Sequence, residues 1–229
     1  GNFRVRDLLP IASRDGNMTT RTKIKENNKS IWTDPAKAYF SARLSNERIQ
    51  NLISAIDLRS ELNRKLRLCD PYAGVGPGII PLILEQDLIS HCYAGDLNPD
   101  AFELLELNLH ELISKNKLTE IDVVLKNQDA RKWKNKQVNI NKIDFLLVNL
   151  PHDSINHLPE LLPLLAKGSI TKIRGWAIIE RSELKNSENQ IKNILNNSNA
   201  DVKSIHCSEV KGFSSSKIFM RFETKQIIP

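Results

Sequence analysis

The 229 residues predict an α/β fold of the Rossmann-like kind. The expected sheet is mostly parallel and seven-stranded, with its last strand antiparallel, and carries a small N-terminal α+β appendage. Three observations lead there. From about residue 66, short apolar runs alternate with helical patterns, the mark of βαβ units. A glycine turn, Asp70-Pro71-Tyr72-Ala73-Gly74-Val75-Gly76-Pro77, separates the first such run from the first such helix. Near the end, two apolar runs flank the short polar stretch 212–216, which predicts an antiparallel closing pair.

Taken in order, residues 66–69 read as a short buried strand and 79–85 as a helix. A second strand is expected over 91–95, then a long helix over 99–114 with Pro99 near its first position, where proline is favoured. The third strand is expected over 121–125. The fourth, 143–148, is nearly continuous in apolar residues and so should be buried on both faces. A helix over 155–166, a strand over 176–179, a helix over 187–195 and strands over 202–208 and 218–222 complete the pattern. Seven strands closing in this way are the arrangement of class I methyltransferases.

The first 60 or so residues differ. Residues 21–25 and 30–33 look like two strands about an Asn27-Asn28 turn. Residues 45–58 predict a helix capped by Ser45, with an apolar face at Ile49, Leu52, Ile53 and Ile56. Residues 1–62 are therefore expected to form the appendage and 63–229 the nucleoside-binding domain.

Net charge is +6, and its placement is uneven. Residues 1–70 hold 14 Lys and Arg against 8 Asp and Glu, whereas the remaining residues balance. A basic N-terminal third points to a polyanionic partner such as RNA. Cys69, Cys92 and Cys207 form no Cys-x-x-Cys pair, so no thiolate metal site is expected. No apolar run approaches the roughly 20 residues that span a bilayer. No membrane partner is expected, and a cytoplasmic location follows.

The glycine turn carries the strongest chemical signal. Glycines there allow a tight turn and close approach of a ligand. Asp96 lies about 20 residues beyond Gly76, at the end of the next strand, where a carboxylate can accept both ribose hydroxyls. The turn lacks the third glycine of the dinucleotide fingerprint. A nucleoside without a pyrophosphate, such as S-adenosylmethionine (SAM), therefore fits better than NAD. Asp129-Ala130-Arg131 follows the third strand. Asp129 could accept from an adenine amine, or simply cap the next turn. Asn149 follows the fourth strand and could hydrogen-bond a base edge, or merely end the strand. His152, after a turn proline, reads as solvated.

These segments resemble the archaeal and eukaryotic tRNA (guanine-37-N1)-methyltransferase family. The resemblance rests on Asp70 to Pro77, Asp96-Leu97-Asn98-Pro99, Asp129-Ala130-Arg131 and Asn149-Leu150-Pro151. Upstream, Lys37-Ala38-Tyr39-Phe40-Ser41-Ala42-Arg43-Leu44 with Glu47-Arg48 is similar to another of its segments, and Lys25-Glu26-Asn27 to the element before it. Ala42 stands where the family usually has proline, and Gly78 where an aromatic is common.

The resemblance implies a SAM-dependent tRNA methyltransferase. It implies a cofactor set of Asp70, Tyr72, Gly74, Gly76, Asp96, Leu97, Asp129, Ala130 and Asn149. It also implies Glu47 as the base that takes the guanine N1 proton, with a surface pairing to Arg43 or Arg48 as its structural alternative. An arginine near the start, Arg6 or else Arg4, would stabilise charge on O6. Asn149 would orient the base, Tyr39 and Pro151 would wall the pocket, and Arg43 would meet the substrate. No metal is implied. A sister family transfers an aminocarboxypropyl group from SAM in wybutosine synthesis; Asn149 to Pro151 favours methyl transfer. The family's tRNA-elbow-binding domain has no counterpart here, so a further N-terminal domain or a partner is expected to supply it. Methylation of another RNA or a protein, and a non-catalytic SAM-binding subunit, are the other classes.

Overall fold

The computed structural model describes residues 8, 11, 12, 16, 18–135 and 141–229. A hairpin opens the described chain. Strands β1 (Thr22–Glu26) and β2 (Lys29–Thr33) pair antiparallel about Asn27 and Asn28. Both turn residues have positive φ, 48° and 63°, the requirement of a two-residue turn that matches strand twist.

Helix α1 (Ser45–Leu62) follows a 3-10 turn at Ala42–Leu44. Ser45 is its first helical residue rather than its cap, because the 3-10 turn runs straight into it and the Ser45 N–H already bonds the Ala42 carbonyl. The expected inward face is also corrected. Ile49, Ile53 and Ile56 are exposed, Leu52 alone of the four packs against the core and is half-buried, and Glu47, Arg48, Asn51, Ser54, Ala55 and Leu58 are buried. A polar strand explains the inversion, as shown below.

Eleven further elements follow: β3 (Leu66–Asp70), α2 (Ile80–Leu84), β4 (Ile89–Gly95), α3 (Pro99–Asn116), β5 (Asp122–Lys126), β6 (Phe145–Val148), α4 (Ser154–Leu161), β7 (Ile170–Glu180), α5 (Leu184–Asn197), β8 (Asp201–Gly212) and β9 (Lys217–Ile227). The seven-stranded sheet has the order β5-β4-β3-β6-β7-β9-β8. β3 to β7 pair in parallel, and β9 lies antiparallel between β7 and β8. This is the Rossmann-like arrangement expected. The chain leaves β3 toward β4 on one side and returns as β6 on the other. That reversal makes a crevice beyond the carboxyl ends of β3 and β6, where open α/β sheets bind ligands.

Several bounds differ from expectation. β7 spans eleven residues, because the buried Lys172 and Arg174 interrupt its apolar pattern without interrupting its pairing to β9. α4 stops at Leu161, and Pro163 turns the next residues into a 3-10 turn. Two apolar clusters fill the faces of the sheet. One joins Ala55 and Leu58 of α1 and Ile31 of β2 to α2, α3 and β3; the other lies under α4 and α5. The core is thus continuous across the expected boundary at residues 62 and 63.

A charge cluster ties the segment after α1 to the sheet. Asp144 is fully buried and receives Arg64 (2.8 and 2.7 Å) and Arg67 (3.0 and 2.9 Å) on both oxygens. Other N-terminal cations pair with later acids: Arg21 with Glu103, Lys23 with Glu111, Lys37 with Asp100, and Lys65 with Asp87 and Glu120. The excess positive charge along the sequence is therefore partly cancelled in space. Cys69 and Cys92 are buried, and burial raises both thiols well above their ordinary pKa. No described helix is long and apolar enough to cross a membrane.

Candidate functional site

Beyond the carboxyl ends of β3, β4 and β6 lies a cavity of about 370 Å³. Four loops and one N-terminal segment wall it. Tyr72, Ala73 and Gly74 come from the loop after β3, and Asp96, Leu97 and Asn98 from the loop after β4. Asp129, Ala130 and Arg131 follow β5, and Asn149, Leu150 and His152 follow β6. Tyr39, Phe40, Leu44 and Arg48 close the remaining side.

Asp96 is the organising residue. Its Oδ2 accepts the Gly74 N–H at 2.9 Å, and its Oδ1 accepts the Asn98 N–H at 2.9 Å. One carboxylate thus fixes the turn after β3 and the start of α3. Burial raises its pKa, against these backbone hydrogen bonds, which lower it. Asp96 lines the cavity between these two anchors. Gly74 takes φ of 57°, which a Cβ would strain.

Gly76 sits elsewhere. Its φ is 92°, and a Cβ there would lie 2.9 Å from Leu105 Cδ1 of α3. It is a glycine so that the loop can press against the helix; it does not line the cavity. Asp70 does not line it either. It is buried beneath the loop, accepts the Tyr72 N–H at 3.1 Å, and burial pushes its pKa up to about 7. Gly76 shapes the loop from below, and Asp70 does so while lining a narrower recess beside the cavity.

Asp129 and Arg131 form a pair on the rim, with Arg131 donating to both carboxylate oxygens at 2.7 to 3.2 Å. Those hydrogen bonds hold Asp129 below the usual carboxylate range. The Arg131 N–H also bonds Asp129 Oδ1 at 3.0 Å, so the turn-capping role and exposure to the cavity coexist. Tyr72 is joined to His157 of α4, with its hydroxyl 2.8 Å from Nδ1.

A narrower recess of 30 Å³ adjoins the cavity and shares Leu44, Arg48, Ala73, Pro77 and Asn149 with it. Glu47, Asn51 and Trp176 lie around this recess. Glu47 is 8% exposed, and neither Arg43 nor Arg48 is its partner. Trp176 Nε1 donates to its Oε2 at 2.9 Å, Arg221 reaches its Oε1 at 3.3 Å, and Arg174 lies 3.8 Å away. Arg174 also donates to Asn51 Oδ1 at 2.9 Å and pairs with Glu223. The polar face of α1 therefore packs inward, because β7 presents Lys172, Arg174 and Trp176 to it. The structural alternative, a surface pairing of Glu47 with Arg43 or Arg48, is not what the structure has.

Asn149 borders both the cavity and the recess, so it links the two. Pro151 does not wall the cavity. It is buried, and its carbonyl accepts the Ile178 N–H at 2.7 Å, which extends the sheet. Arg43 is exposed on the 3-10 turn and lies outside the lining. Tyr39 lines the cavity and is 40% exposed. Arg6 and Arg4 lie outside the described residues. His152 borders the cavity and is exposed, as its position after a turn proline suggested. Arg48 and His157 were not expected there; Arg48 is held at the cavity by its ion pair with Glu26 of the hairpin and lies 5.0 Å from the centre of the Phe40 ring. Among the described residues no cluster of His, Cys, Asp and Glu could hold a metal ion.

With this geometry in view, comparison with known proteins is specific. The family model of the TRM5/TYW2 methyltransferase domain matches residues 22–205. The Trm5b tRNA (guanine(37)-N(1))-methyltransferase of Methanocaldococcus jannaschii is 33% identical over 172 residues, covering 74% of this chain and 43% of that protein. A tRNA (guanine(37)-N(1))-methyltransferase of Vitis vinifera is 31% identical over 176 residues, covering 75% and 26%. The chain therefore spans less than half the length of these relatives. Among solved structures, Trm5b of Pyrococcus abyssi superposes with a TM-score of 0.72 at 22% identity, covering 93% of this chain and 58% of that one. TYW2 of M. jannaschii in complex with AdoMet superposes with a TM-score of 0.72 at 18% identity, covering 93% and 89%. Both share the fold.

Proposed function

Since the chain belongs to the TRM5/TYW2 methyltransferase domain family, we propose that it binds SAM in the 370 Å³ cavity and methylates N1 of the guanosine at position 37 of tRNA. The observation that carries this reading is Asp96, which lines the cavity and is locked between the Gly74 and Asn98 N–H groups. The cavity has the size of a small-cofactor site. Its polar groups also suit a nucleoside: a carboxylate for the ribose hydroxyls, and Asp129 for an exocyclic amine. Leu97 and Ala130 offer apolar surface to the base between them.

When bound, SAM supplies an electrophilic methyl group on a sulfonium. The chain's own residues do the rest. Asn149, between cavity and recess, orients the guanine edge. Tyr39 walls the open side. Glu47 receives the N1 proton, which frees the N1 lone pair for the methyl group that bound SAM would supply. Trp176 and Arg221 hold one lone pair of each Glu47 oxygen, which leaves a second on each for that proton. The cation for O6 falls to Arg6, and exposed Arg43 faces the nucleic acid. Elbow recognition belongs to a further domain or a partner.

Methyl transfer to an unmodified tRNA transcript, with the product nucleoside identified after digestion, tests this reading. 1-Methylguanosine from position 37 is the expected product. Another methylated nucleoside, or an aminocarboxypropyl product, would overturn it.

A further inference from the structure

We propose that Phe213, paired with the His152 ring at the mouth of the cavity, is a stacking platform for an unpaired RNA nucleotide beside the target guanosine. The inference rests on the reading of the chain as a tRNA methyltransferase. It adds a substrate contact from the loop between β8 and β9, which lines neither the cavity nor the recess.

The sheet brings that loop to the cavity's edge. β6 and β7 run in parallel, so the carboxyl end of β7 lies on the side where the cavity opens. β9 runs antiparallel to β7 and starts there, with Lys217 opposite Glu180. The Arg181 N–H donates to the Ser216 carbonyl at 2.9 Å and ties the loop to the end of β7. Within the loop, the Phe213 and Ser214 N–H groups both donate to the Lys217 carbonyl, at 2.8 and 3.0 Å. The Lys217 N–H donates in turn to Ser214 Oγ at 3.1 Å. The turn therefore holds the backbone of Phe213 in place.

Phe213 is nonetheless 53% exposed. A single exposed apolar side chain is ordinary, but this one has a particular neighbour. Its ring centre lies 6.3 Å from that of His152, with the ring planes at 83°, and His152 is exposed and borders the cavity. In such a T-shaped pair one ring meets the other only by its edge. Accessible aromatic surface is thus left at the rim, on a turn that needs no ordering when a ligand arrives. Lys211, two residues earlier in the chain, lies 5.4 Å from the centre of the Phe219 ring and has no acidic partner among the described residues. Single-stranded nucleic acid is held by this combination, with a base on the aromatic ring and a phosphate near the cation. A guanosine that enters the cavity must leave its stack, and its neighbour then loses a stacking face that Phe213 replaces.

Equilibrium binding of tRNA transcripts tests this, with S-adenosyl-L-homocysteine present and with an abasic residue placed on either side of guanosine 37. Phe213→Ala should weaken binding of the intact tRNA about 5- to 150-fold, the usual worth of one base stacked on an aromatic ring. Phe213→Tyr should bind like the unaltered protein, because the ring is kept. Affinity for S-adenosyl-L-homocysteine should be the same in each variant, since Phe213 does not line the cavity. Removing the base on one side of guanosine 37 should weaken binding to the unaltered protein by a similar factor, but binding to Phe213→Ala by no more than about twofold. A merely structural role for Phe213 would not produce that difference. Binding of intact tRNA by Phe213→Ala within about twofold of the unaltered protein, or base removal that weakens both proteins alike at both positions, overturns the proposal and spares the methyltransferase reading. Absence of tRNA binding by the unaltered protein overturns both.

Discussion

Replacing Glu47 by Gln separates its chemistry from its packing. The substitution keeps shape but removes the charge and the proton-accepting oxygen. As general base, Glu47 should contribute about 10²–10⁴-fold to the rate of methyl transfer. Its surroundings add a second expectation. Arg221 at 3.3 Å and Arg174 at 3.8 Å lose their anionic partner, and Arg174 is itself buried. Breaking a buried pair outright costs about 3–5 kcal/mol. Here Arg174 keeps Glu223 and Asn51, and the Gln oxygen still accepts from Trp176, so a loss of about 1–3 kcal/mol is expected. Affinity for SAM should hardly change, because Glu47 borders the recess and not the main cavity. Single-turnover kinetics at saturating SAM measure the rate, since slow product release would hide a chemical defect. Urea unfolding measures the stability. A folded variant with an unchanged single-turnover rate would refute the base. Unchanged stability would refute the buried ion cluster.

Three other outcomes follow from particular contacts. Asp144 has a lowered pKa: burial raises it, but the hydrogen bonds from Arg64 and Arg67 together outweigh that. Its contribution to stability is present above the unfolded carboxylate pKa of about 3.9 and is lost as pH falls through the folded value; urea unfolding of Asp144→Asn between pH 3 and 6 should show a flatter acid limb than the unaltered protein, and parallel curves would contradict this. Gly76→Ala should cost about 1–3 kcal/mol through its φ of 92° and the contact with Leu105, read from the shift in unfolding midpoint. Affinity for tRNA should fall with salt, and Arg43→Ala should lower the logarithmic slope by about one; a salt-independent affinity would remove the electrostatic part of the account.

The parts of this molecule that could be read from residues alone are those in which local chemistry and fold agree. Proline at the start of α3, two asparagines at positive φ between β1 and β2, and a glycine turn between β3 and α2 each satisfy a local need where the chain has that shape. Asp96 was legible because its spacing from the glycine turn puts a carboxylate at the end of the next strand, beside that turn. The illegible parts are those in which polar groups are buried against each other. Lys172 and Arg174 hid half of β7, and the same residues drew the polar face of α1 inward, so the apolar stripe Ile49, Ile53 and Ile56 pointed to the wrong side. Charge placement misled for a related reason. Arg64, Arg67 and Lys65 look like part of a free basic surface until their distant partners Asp144, Asp87 and Glu120 are seen. Gly76 and Asp70 belong to the glycine motif yet serve the loop from beneath, a distinction that spacing does not carry. His157 lies 85 residues from Tyr72, and no local pattern connects them.

We propose the crevice between β3 and β6 as a SAM site built around Asp96. Calorimetric titration of SAM into the unaltered protein and into Asp96→Ala tests it most directly. The account predicts saturable binding to the unaltered protein with one site. In the variant, affinity should fall about 10- to 150-fold, the worth of about 1.5–3 kcal/mol for hydrogen bonds to a charged group. Equal binding by the two proteins, or no binding by either, would contradict it.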